Sequence, residues 1–154
     1  MKSLLIVSRF CLLAISAPAD GSQPSEGQIP TTILLQLERW GCRVDGAVRG
    51  EFAKRGQSDW AVLSDKSRIQ TILVLWNGSE LTHAELANVF DGDGVNLEVR
   101  KIRSVGRKYI IGGYHLHGDA PPPSIEHDGI EDIRSPSVVH YFYQGRWFDL
   151  EKKD

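Results

Sequence analysis

Between Thr31 and Trp40 the apolar residues Ile33, Leu34, Leu37 and Trp40 recur at helical spacing. Thr31 or Thr32 can cap such a helix, and Gly41 stands where it would stop. From residue 47 the period changes. "AVRGEF", "DWAVLS", "IQTILVLW", "VNLEVRKI", "RKYIIGGYHLH", "SVVHYFY" and "RWFDL" are rich in β-branched and aromatic residues and are bounded by turn signals. Asn77–Gly78 and Gln144–Gly145 predict two-residue hairpin turns, whose central residues must tolerate positive φ. "GDAPPPSIEHDG" reads as a loop, because consecutive prolines cannot donate to a ladder. The pattern predicts a mainly β protein, α+β at the margin. Its strands, roughly six to eight, would form an antiparallel meander or a small sandwich of hairpins behind one short N-terminal helix. The segments "LVLWNGSEL" and "HYFYQGRWF" share a pattern of apolar strand, aromatic, polar residue and glycine, as a degenerate repeat would.

Length narrows this to one domain, since the chain has 154 residues. Lys2 and Arg9 flank short apolar runs, "FCLLAIS" follows, and "APAD" offers a small-x-small cleavage site after Ala19. The expected organisation is a cleaved signal over 1–19, a Gly, Ser and Pro-rich lead-in over 20–30, and a single β-rich domain over 31–154. The protein is then exported, periplasmic or secreted, with no membrane span, because Ser8 and Arg9 interrupt the apolar run. Cys42 alone remains in the mature chain and reads as a small buried hydrophobe. A net charge of −2 gives no case for nucleic acid. The densest basic group, Arg100, Lys101, Arg103, Arg107 and Lys108, alternates with apolar residues and reads as the solvated side of a strand pair.

Residues 48–81 resemble one unit of the FG-GAP or VCBS-type repeats of exported and integrin-like proteins. Gly50, Glu51, Phe52, Gly56, Asp59, Trp60, Ala61 and Val62 fall on that pattern, with Trp76, Asn77 and Gly78 on its later turn. The resemblance implies a calcium loop with oxygen ligands on alternating residues. Here Ala53 and Arg55 stand at two ligand positions, leaving Glu51 and Asp59 as the carboxylates. The resemblance therefore implies the loop's shape without its ion: Gly56 makes the turn, Phe52 and Trp60 face the core, and Asp59 bonds loop amides. As a whole the chain resembles small exported bacterial proteins that end in hairpins of this kind.

Three other constellations carry candidate chemistry. His115 and His117, two apart on an expected strand, would share a face; with His127, His140 or Asp119 they would form an open zinc site for a metal-dependent hydrolase. "HDGIED" offers Asp128, Asp132 and Glu131 as oxygen ligands for calcium, the basis of a calcium-stabilised structural protein. "DGDG" at 91–94 lacks the later oxygens of an EF-type loop and reads as a turn. The chain contains no G-x-S-x-G, phosphate loop, H-E-x-x-H or C-x-x-C pattern. The leading reading is a non-catalytic binding or accessory module. Its partner would be a protein or glycan held on Tyr141, Tyr143 or Trp147.

Overall fold

The computed structural model describes residues 29–78, 83–90, 100–117, 124–134 and 136–152. The signal, almost all of the lead-in, the "DGDG" turn and Asp119 lie outside the described residues.

Helix α1 covers Thr31–Arg39. Pro30 rather than a threonine precedes it, and no side chain caps its first turn. Its end is the expected one. Gly41 has φ +71°, its N–H reaches Glu38 O at 2.9 Å, and Cys42 N–H reaches Leu37 O at 2.9 Å. This pair of bonds is a Schellman closure, which requires a left-handed residue at that place. Ile33 and Leu37 are fully buried, each contributing about 1.5–3 kcal/mol. Leu34 and Leu35 instead point outward and are 40% and 48% exposed.

The strands form two four-stranded antiparallel sheets, each ordered as its strands occur in the chain. The first holds β1 (Arg43–Gly50), β2 (Asp59–Lys66), β3 (Ile69–Leu75) and β4 (His83–Phe90). The second holds β5 (Lys101–Val105), β6 (Gly129–Ile133), β7 (Val138–Tyr143) and β8 (Arg146–Glu151). The mainly β, antiparallel reading holds, and the architecture is two meanders. In the second, helix α2 (Arg107–His117) and a loop join β5 to β6.

Four elements depart from the sequence pattern. "RKYIIGGYHLH" is helix α2, not a strand. Ile110 of this helix is fully buried in a cluster with Val105, Ile125, Val139, Tyr141 and Leu150, so contact with the sheet outweighs local strand preference. Gly129, expected in the loop, instead opens strand β6 (Gly129–Ile133), buried along most of its length between β5 and β7. Asn77–Gly78 is not a two-residue hairpin: β3 and β4 first pair at Leu75 and His83, and Asn77 sits at φ 57° in a 3₁₀ turn. The tight turn of the first sheet is Ser67–Arg68, both at positive φ without a glycine, between paired Lys66 and Ile69. Gln144–Gly145 forms the expected two-residue turn, with Tyr143 paired to Arg146. The two segments read as a repeat thus join their strands differently.

Each sheet packs on two sides. On the inner side Phe52, Ala61, Leu63, Ile72, Val74 and Leu86 meet Ile102 and Ile130 of the second sheet. On the outer side of the first sheet Trp60, Val62, Leu73 and Leu75 meet Ile33 and Leu37 of α1. Phe52 and Trp60 are both buried, as expected, but in different cores. The sheets are joined where β1 runs alongside β5, and where Asp128 N–H reaches Glu51 O at 3.0 Å. No helix among the described residues is long and apolar enough to cross a membrane.

Candidate functional site: a groove between edge strands

Alternation along β6 sends its neighbouring acids to opposite faces. Glu131 lies on the helix side, where Tyr109 donates to its Oε1 at 2.7 Å and Arg103 donates to its Oε2. Asp132 lies between the sheets with its side chain fully buried, and Arg100, equally buried, forks onto it: Nε to Oδ1 at 2.9 Å and Nη2 to Oδ2 at 2.8 Å. The same guanidinium gives Nη1 to Gln70 O and Nη2 to Ala87 O, each at 2.9 Å. A bulge frees those carbonyls. The β3–β4 register shifts between Gln70 and Ile72, and Ala87 has φ 49°. One arginine thus ties the bulged edge of the first sheet to the centre of the second. A buried ion pair needs its remaining donors served as well, and two of the three left over on Arg100 reach those carbonyls.

His140 on β7 extends this cluster. Its Nδ1 lies 2.6 Å from Asp149 Oδ1, and its Nε2 faces Asp132 Oδ2 at 3.9 Å, an ionic approach and not a hydrogen bond. Arg134 Nε also approaches Asp132 Oδ2, at 3.1 Å. Burial works against charge on His140, but the Asp132 and Asp149 carboxylates outweigh it and raise its pKa. Burial likewise opposes the Asp132 charge, and His140, Arg100 and Arg134 outweigh it and hold that pKa below the ordinary value. His140 lowers the Asp149 pKa in turn. The site is an imidazole between two carboxylates, one buried and one 67% exposed, which favour its protonated form.

Outside this cluster the sheets part and leave a groove of about 500 Å³. Glu85, Leu86 and Ala87 of β4 line one side, and Arg146, Trp147, Phe148 and Asp149 of β8 the other, with His140 behind them. β4 and β8 are the last strands of their sheets, and among the described residues neither edge pairs with a further strand. On β8 the register fixes which groups are free. Tyr143 and Arg146 close a two-residue turn, so Arg146 and Phe148 bond back to β7 while the backbones of Trp147 and Asp149 face outward.

The aromatic rings are already occupied. Trp147 stacks on Trp76 at 5.7 Å and meets Phe142 edge-on at 5.5 Å. Phe148 stacks on Tyr141 at 5.5 Å and carries the Arg146 guanidinium at 4.4 Å. Tyr141, expected as an exposed binding residue, is 1% exposed and belongs to the core. Tyr143 is half-buried beside Phe148. Of the three aromatics named from the sequence, only Trp147 lines the groove.

The histidine and acid readings change as well. His115 and His117 fall on helix α2 and not on the strand whose alternation would put both on one face. His115 is exposed. His140 lies on β7, on a different element from His115 and His117, and its Nδ1 is engaged by Asp149. His127 turns Nδ1 to the carbonyl of Asp128, 2.9 Å away. Asp128 Oδ2 accepts the Glu51 N–H at 3.2 Å, docking the β1–β2 loop. Asp132 is a strand residue held by arginines and not a ligand in an acidic loop. Among the described residues no three His, Cys, Asp or Glu side chains converge as a metal set. Arg100, read as solvated, is the charge at the protein's centre.

At the β1–β2 loop, Asp59 is fully buried. Its Oδ2 accepts the N–H groups of Phe52 and Ala53, each at 3.0 Å, and its Oδ1 accepts Gln57 Nε2 and Asn77 N–H, each at 2.8 Å. Gly56, at φ +79°, makes the turn.

Comparison with known proteins returns no match. Neither a family model, a curated sequence nor a solved structure is similar to the chain.

Proposed function

We propose that the protein is an exported, non-catalytic binding module that holds an extended polypeptide segment between β4 and β8. The observation that carries the reading is the groove between two edge strands, with the outward backbone of Trp147 and Asp149 along one wall. An added strand takes its affinity from such main-chain groups and its specificity from the side chains beside them. Glu85, Arg146 and Asp149 supply charges of both signs there. A glycan is less well served, because Trp147 and Phe148 already stack on other rings. Catalysis is also less well served. His140 has Nδ1 on Asp149, and its Nε2 is buried facing Asp132, out of a substrate's reach. Export rests on Lys2, Arg9, the apolar run and the "APAD" site.

The test is selection of linear peptides from a displayed library on the purified protein. Bound sequences are expected to alternate in pattern and to be lost by the double variant Glu85→Lys, Arg146→Glu at unchanged melting temperature. Peptides that bind that variant equally well would refute the assignment.

A further inference from the structure

A second groove, of about 780 Å³, lies on the other face of the first sheet, beyond the C-terminal end of α1. Trp40 and Cys42 form its helix side. Ser64 and Lys66 of β2, Ile69, Thr71 and Leu73 of β3 and Glu85 of β4 form its sheet side. The alternation of the strands explains the surface. Trp60, Val62, Leu73 and Leu75 all face outward and are buried beside α1, each at 6% exposure or less. Past the helix end the apolar surface continues as half-buried Trp40 and Ile69, with hydroxyls beside it where Ser64 donates to Thr71 O at 3.2 Å. Two exposed cations, Arg39 and Lys66, stand at its rim, and the side chain of neither makes a hydrogen bond or ion pair with another described residue. Size, apolar floor and a few polar groups at one end are the features of a small-molecule site.

We propose that this groove binds a small anionic amphiphile, a fatty-acid-like carboxylate, with its chain along Trp40, Ile69 and Leu73 and its acid at Arg39 and Lys66. Charge complementarity selects the acid: the rim offers two uncommitted cations against the one carboxylate of Glu85. The proposal rests on the opposite face of the first sheet from the peptide groove, and of its residues Glu85 alone borders both.

Cys42 in the groove wall is a half-buried free thiol and reports occupancy. The experiment uses the full chain carrying Cys11→Ser, so that Cys42 is its one thiol. Alkylation by N-ethylmaleimide is followed with dodecanoate, with dodecanol and with phospholipid vesicles, the first two below their aggregation limits. Dodecanoate is expected to slow alkylation saturably, dodecanol far less. The double variant Arg39→Glu, Lys66→Glu is expected to weaken dodecanoate about tenfold or more at unchanged melting temperature. Absence of protection by dodecanoate would overturn the site. So would equal protection by dodecanol, full retention in the double variant, or protection by vesicles alone, which would make the face a membrane contact.

Discussion

Arg100 and Asp132 form a two-pronged ion pair with both side chains at zero exposure, and the arginine's spare donors reach the carbonyls of Gln70 and Ala87 across the sheet gap. The pair sits directly behind the groove. It holds the bulge of β4 at a fixed distance from β6, and β7 carries His140 beside it.

Removing one partner strands the other as a buried charge. Asp132→Asn or Arg100→Gln is expected to cost about 3–5 kcal/mol in urea unfolding. Replacing both by apolar residues of similar volume, Arg100→Met with Asp132→Leu, is expected to recover most of that loss. A single variant that loses less than about 1 kcal/mol would show that the pair is solvated in solution.

Asp59 plays a different part, satisfying four donors from the loop and from Asn77. Asp59→Ala leaves the amides of Phe52, Ala53 and Asn77 without that partner. The buried Phe52 amide alone costs about 1–3 kcal/mol when orphaned and the part-buried ones add to it, so the variant is expected to be among the least stable single substitutions. Asp59→Asn retains one acceptor oxygen and is expected to fall between. Equal stability of Asp59→Ala and the parent, by thermal unfolding, would contradict this.

Much of this was legible beforehand, for physical reasons that differ by element. Asp59 could be assigned to loop amides because its loop is local and lacks other oxygen ligands. Gly41 and Gly145 marked their turns because a positive φ favours glycine. Ser67–Arg68 gave no such signal, since neither residue is one that left-handed backbone prefers. "RKYIIGGYHLH" reads equally as strand or helix, and its fate depends on the contact of Ile110 with distant Val139 and Tyr141. The Arg100 cluster was illegible for the same reason. Arg100 meets acceptors at residues 70, 87 and 132, and no local spacing encodes that convergence. β6 was hidden by its acids, which look solvated until their arginines are known.

The pH dependence follows from the charged cluster. His140 has a raised pKa, so its contribution is complete below the ordinary imidazole value of 6.5 and is lost as pH rises through the higher native value. Asp132 and Asp149 have lowered pKa values, so theirs is complete above 3.8 and is lost as pH falls through the lower native values. Stability is therefore expected to be greatest between those limits and to decline on either side. Chemical unfolding of the parent and of His140→Gln across this range checks it. The variant should lose the alkaline decline, and an unchanged alkaline limb would assign it elsewhere.

Metal dependence separates this account from the zinc and calcium alternatives. Addition of calcium, of zinc or of chelator is expected to leave the melting temperature unchanged. A ligand that binds only the native state must raise it, by about 2.7 kcal/mol of stability at a hundredfold excess over Kd. A rise with zinc or calcium would reinstate a metal site.

The groove itself is tested most directly by amide hydrogen exchange of the protein with and without a selected linear peptide. Protection is expected at the outward amides of Trp147 and Asp149 on β8 and across Glu85–Ala87 on β4, with the amides of β1 and β5 unchanged. Protection confined to other strands, or peptide binding that leaves β4 and β8 exchanging at their free rates, would contradict a module that binds by strand addition at this edge.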